Sequence, residues 1–404
     1  MAVSGVSSSS STFIPRITAS TLLGTWTEGA IKTLTLSETQ SLTSTQIASI
    51  APTAIKGLTA ANIAALSTTQ VKGITDAQLK QMNTAQLNAF KGAQMGAMTS
   101  DQINALSTGQ MTALTGSQLA AISTSEVGGI NTASLNTLSA RQIQALTTDQ
   151  IIALIGDQMA ALGTGQVANL TVGQVGAIET RDLVGMSTGQ IKAMSLTQVA
   201  AFKTAQVNAL TSSQLQTLTD AEVAKFTSAQ IRALDATQVS ALKTSQVAAL
   251  TNLSVAAMTN DQIGALDTTQ FSKLSNAAIT AITSGQTAAL TSSQLRTLST
   301  GQVALISAGT LSAMGTGLTS NLKTEQVAAL TALQVKALSS DAIGNLGTSQ
   351  VDALSASQWM SVSTSAMAAL STAQVAQIST SELQSLSAAQ VKALSADAIT
   401  SLTT

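Results

Sequence analysis

The 404-residue sequence contains no cysteine, no histidine and no tyrosine. Without Cys or His, disulfides and metal centres built on thiolate or imidazole are excluded. The commonest general base is also missing, so acid–base chemistry would rest on carboxylates and lysines alone. Charge is scarce: 9% of residues, 18 basic against 19 acidic, for a formal net charge of −1. Duplex binding needs clustered Lys and Arg, and an anionic membrane surface needs a polybasic run. Neither occurs, so no nucleic-acid partner is expected. No stretch of 18 apolar residues exists, which argues against membrane insertion. Aromatics make up 2% of the chain. The N-terminus lacks the basic and apolar regions of a cleavable signal, and Ser7 to Ser11 read as a Ser-rich leader.

What is present is a period of eight. Ser67-Thr68-Thr69-Gln70-Val71-Lys72-Gly73-Ile74 is followed directly by Thr75-Asp76-Ala77-Gln78-Leu79-Lys80-Gln81-Met82. The frame holds from Thr27 to Leu402 without insertion, giving about 47 octads of consensus S/T-x-x-Q-V/I/L-x-A-L. The organisation read from this is a leader and degenerate cap or junction over 1–26, then an octapeptide solenoid over 27–404.

Position 1 (Ser or Thr) and position 4 (Gln, or Glu as in Glu126, Glu222 and Glu382) spell the capping box that opens a helix. Positions 5 and 8 are large, apolar and three apart, hence on one helix face. Position 7 is usually Ala, small enough for close packing. Acids favour positions 2 to 4 and bases position 6, the order a helix dipole rewards. Lys91, Lys203, Lys243 and Lys323 stand at position 1, where Lys cannot cap. The following Thr204, Thr244 or Thr324 is expected to cap one residue later in three of these.

A β-solenoid is the alternative, because Val at 5 and Ala at 7 alternate. Its turns need residues at positive φ, yet the 26 glycines hold no fixed position. The expected fold is therefore all-α: a solenoid, or superhelix, of very short helices. One octad makes only about one and a half turns and is unstable alone, so each helix must stack on its neighbours.

Such octads, for example Lys243-Thr244-Ser245-Gln246-Val247-Ala248-Ala249-Leu250, resemble long Thr/Gln/Ala/Leu octapeptide arrays of bacterial surface or secreted proteins. The resemblance covers 27–402. It implies a cell-surface or extracellular location, reached without a recognisable cleavable signal, and carries over no catalytic residue. The composition is also similar to bacterial filament subunits such as flagellins, although octads stand where those have coiled-coil termini.

Catalytic material is thin. Asp220 with Glu222, the S-x-x-K of Ser320 to Lys323, the Gly163/Gly165 and Gly315/Gly317 pairs and the sequons at Asn169 and Asn252 are better read as helix charges, degenerate octads and chance. Gln at position 4 reads as a cap for its own helix rather than as a ladder that binds polysaccharide. No cofactor, metal or enzymatic activity is expected.

The expected function is a structural subunit of a bacterial extracellular filament, fibre or sheath, a homo-oligomer that associates through solenoid ends and faces. The alternative is a monomeric surface adhesin or spacer binding a polysaccharide or protein ligand. Phe13, Ile14, Ile17, Leu22, Leu23 and Trp26, with Ile399 and Leu402, are the candidate self-association residues. Far-ultraviolet circular dichroism tests the fold: a helical spectrum is expected, and a strand spectrum would refute it.

Overall fold

A helix of five residues has almost no interior. Its first four N–H groups and last four carbonyls lack partners within the helix, so an octad must satisfy both ends locally or against a neighbour. The computed structural model describes Ile17, residues 22–400 and Leu402. Helices of four to six residues recur once per octad, and no strand occurs among the described residues. The chain is an all-α repeat solenoid, and the β-solenoid alternative is excluded. It forms two compact units, Met1–Gly185 and Met186–Thr404.

Position 1 is the N-cap. Thr227 is extended, with φ −67° and ψ 161°, and its hydroxyl accepts the Gln230 N–H at 3.2 Å. Position 8 ends the helix: Leu234 has φ −63° and ψ 141°, and its N–H returns to the Ile231 carbonyl. Two consecutive extended residues, Leu234 and Asp235, thus turn the chain at this junction. No described residue has positive φ, which is why glycine needs no fixed place in the octad.

The lysines at position 1 correct one expectation. Helices begin at Thr204, Thr244 and Thr324, so the cap stays on Lys203, Lys243 and Lys323, with no side-chain cap bond. The glutamine arm survives: the N–H groups of Lys203 and Lys243 donate to Gln206 and Gln246 Oε1, each at 2.8 Å. Moving the cap by one residue would have rotated positions 4, 5 and 8 off their face.

Apolar positions 5 and 8 form the core, as in Val247, Leu250, Phe90 and Phe202. Phe271 and Trp359 at position 5 are fully buried. Helix pairs three octads apart pack together, such as Gly116–Ala120 with Ala140–Ala145 and Ala236–Ser240 with Asn260–Ala265. Position 6 side chains bridge the same interval: Asn208 Nδ2 donates to the Ala233 carbonyl at 2.6 Å and Arg232 Nε to that of Ala257 at 3.3 Å.

Close approach across this interval explains the small residue at position 7. A Cβ on Gly73 would stand 2.6 Å from the Ser44 carbonyl oxygen. Gly129 faces Ser100, and Gly57 faces Glu28, in the same relation.

Two comparisons test this packing by denaturation. Gly73→Ala is expected to cost roughly 1–3 kcal/mol through overpacking, whereas Gly109→Ala, which meets nothing within 4 Å, is expected to gain a few tenths to about 1 kcal/mol of helix propensity. Leu250→Asp, which buries a charge, is expected to destabilise strongly, and Lys72→Gln on the exposed face very little. Equal losses within either pair would contradict the assignment of faces.

The glutamine clamp as the candidate functional site

Position 4 carries the most polar chemistry in the octad, and it is buried. Gln246 is 0% exposed. Its Oε1 accepts the Lys243 N–H at 2.8 Å, closing the cap of its own helix. Its Nε2 donates to the carbonyls of Leu215 and Leu218, both at 2.8 Å. Those residues are positions 5 and 8 of the octad four earlier. One amide therefore serves the start of one helix and the end of another, in the adjacent turn.

The bond recurs along both units. Gln78 reaches Ile47 and Ile50, each at 2.7 Å. Gln150 reaches Leu119 and Ile122 at 2.8 Å, and Gln390 reaches Trp359 and Val362 at 2.8 Å. With packing at three octads and amides at four, a turn takes between three and four octads within each unit.

The capping role read from sequence is present, and the second role is the part that reading missed. The signal was there: a capping box takes Gln or Glu, since only an oxygen is needed. A strong bias to Gln marks a need for N–H donors as well. A glutamine ladder displayed to a ligand is excluded at these positions, because the side chains are buried.

Exceptions obey the same chemistry. Thr310 keeps half of the link, its hydroxyl donating to the Ile282 carbonyl at 3.0 Å. Asn62 reaches the Leu34 carbonyl at 3.2 Å and Thr39 Oγ1 at 2.8 Å. Glu126 has no N–H to give and instead accepts the Ser100 N–H at 2.7 Å. Glu38, half-buried, accepts both the N–H and the hydroxyl of Thr35 at 2.8 Å. Those bonds hold its carboxyl below the ordinary value. Their stabilisation is present above the unfolded-state pKa and is lost as pH falls through the lowered folded value.

Other sequence candidates are scattered. Asp220 is exposed on its helix, while Glu222 accepts the Thr219 N–H at 2.7 Å. Ser320 Oγ donates to the Gly317 carbonyl at 3.4 Å, and Lys323 pairs with Glu325 at 3.8 Å, so neither engages the other. Ser254 of the Asn252 sequon is buried. Among the described residues no group of three or more acidic side chains is placed to hold a metal, and no helix is long and apolar enough to cross a membrane. One surface groove of about 590 Å³ runs between turns past Ser44, Thr69, Lys72, Asp76 and Thr99. Among the described residues, two buried polar groups lack any hydrogen-bond partner: the Asp182 carboxylate and the Trp359 indole N–H.

The proposed self-association residues divide. Phe13 and Ile14 lie outside the described residues. Leu23 is fully buried within its own unit, its N–H donating to Ser49 Oγ at 2.9 Å. Leu22 and Ile399 are exposed, at 65% and 46%, and Ile17, Trp26 and Leu402 are half-buried.

These features define a class: a repeat solenoid whose turns are tied by buried side-chain amides. The ALTTAQ repeat is matched over residues 71–108, 79–116, 119–155, 175–212 and 218–252. Read from position 7, the octad follows that pattern, and Ala145-Leu146-Thr147-Thr148-Asp149-Gln150 departs from it at Asp149 alone. No curated protein matches the chain.

The clamp is tested by Gln246→Glu, which retains the cap but sets a carboxylate against two carbonyls. A loss of roughly 2–4 kcal/mol is expected by denaturation, recovered when acid protonates the new carboxyl. A neutral substitution would show that the amide bonds contribute nothing.

Proposed function

We propose that the chain is a structural subunit of an extracellular, bacterial-surface filament or sheath, self-associating through solenoid ends and faces. The observation that carries this reading is the inward direction of its polar chemistry. The recurrent glutamine of the octad is buried and ties turn to turn, while the outer positions are mostly Ser, Thr, Ala and Gly. Such a chain builds length and regularity. Exposed apolar residues such as Leu253 and Leu333, at 69% and 72%, supply lateral contacts.

A second reading, a monomeric spacer or adhesin, draws on a different observation. Position 4 in three of the octads over 27–58 is Ala30, Glu38 and Ala54, which bring no side-chain amide. Stacking these octads onto another copy would proceed without most of the clamp.

Electron microscopy with concentration-dependent light scattering separates the two. Filaments that lengthen with concentration are expected. Monomers at every concentration would overturn the filament reading. Deleting residues 1–26 is expected to abolish assembly while circular dichroism keeps its helical signal.

A further inference from the structure

One octad replaces the clamp with a group of opposite chemistry. Asp182 holds position 4 on the helix Thr180–Gly185 and is 1% exposed. Neither of its carboxylate oxygens accepts a hydrogen bond. One octad earlier, Gln174 Nε2 lies 2.7 Å from the carbonyl oxygens of both Ile143 and Leu146. Eight residues on, the same register sets Asp182 toward the carbonyls of Ile151 and Leu154. Its side chain reaches that junction: Oδ1 stands 3.5 Å from the point a Cβ on Gly156 would occupy.

A carboxylate in this place is an acceptor facing acceptors. Buried polar groups need a complementary partner, and an unpaired buried charge is costly. The nearby charges do not supply one. Arg181 Nε is 3.5 Å from Oδ1, but the Arg181 side chain is 68% exposed and its guanidinium is shared with Glu179 at 2.8 Å. The helix Gly156–Ala161 packed against it carries Asp157, and the helix Thr148–Ala153 carries Asp149. Both are exposed and both are negative.

We propose that Asp182 is a proton-operated latch between the turns of residues 147–154 and 179–185. As the neutral acid it donates its O–H to the carbonyl of Ile151 or Leu154, in the role the glutamine amide has elsewhere. On deprotonation the proton leaves to solvent, the donor disappears, and the two turns lose their polar link. Burial pushes the Asp182 carboxyl up from its ordinary value, and Glu179 adds to this, while Arg181 opposes it. The sign follows. A folded pKa above the unfolded one means that the native state holds the proton more tightly. The latch contributes fully below the unfolded pKa, and its contribution is lost as pH rises through the folded one.

The test compares the full chain with Asp182→Gln by thermal denaturation from about pH 3 to about pH 8, a range that runs from below the ordinary aspartate pKa to well above it. Taking the difference between the two proteins removes the titration of every other carboxylate. The advantage of the glutamine variant is expected to grow by a few degrees from acid to neutral pH. A difference that is flat with pH would overturn the latch. Carbon-13 NMR of the Asp182 carboxyl provides a readout independent of the variant, with an inflection above the ordinary aspartate value expected and one at or below it contradicting the proposal. Calcium chloride added at neutral pH is expected to leave the melting temperature unchanged. Stabilisation of the native sequence but not of Asp182→Gln would show that a cation, rather than a proton, occupies the site.

Discussion

The constraint that governs this molecule is the satisfaction of helix ends. In helices of four to six residues nearly every backbone N–H and carbonyl is terminal. Such a helix has no stability of its own, because nucleation is costly and little propagation follows. The consensus octad answers with three devices: a hydroxyl at the N-cap, a glutamine oxygen on the N-cap N–H, and the same glutamine's amide on carbonyls one turn away. The third makes the helix ends interdependent, so an octad is stable only inside an array. That dependence is the physical content of the solenoid here, beyond the apolar core shared by repeat proteins in general.

The winding repeats, at the scale of octads, the arithmetic of the α-helix itself. An α-helix brings residues three and four apart onto one face. Here octads three apart pack side by side, with position 7 against position 2, and octads four apart are joined by amides. The two intervals need different residues. The first needs something small, hence Ala or Gly at position 7. The second needs a donor of the right reach, hence Gln at position 4. Asn62 spans a similar gap, Thr310 holds one of the two bonds, and Asp182 holds none.

A structural role fits this economy of residue types, because every octad presents nearly the same surface. Identity comes from the exceptions: Glu126 capping a foreign helix, Trp359 filling a core position with an unpaired indole, Asp182 facing carbonyls. These break the repeat, and with it the degeneracy that would let one octad stand for another.

The octad by itself determined the helix, its start at Ser or Thr, the burial of positions 5 and 8 and the outward placement of charge. All of these depend on residues within one short window, where capping and periodicity act. Only the tertiary structure decided what lies beyond the octad. Nothing in a repeating sequence distinguishes a neighbour three octads away from one four away, since each presents the same residues. The choice is made by packing and by the reach of the glutamine side chain, which finds carbonyls one turn back at Leu215 and Leu218 for Gln246. The same limit applied at Lys203, Lys243 and Lys323, where local capping rules pointed to the next threonine. The array kept its register there, because core contacts and clamps from adjacent turns outweigh one missing hydroxyl.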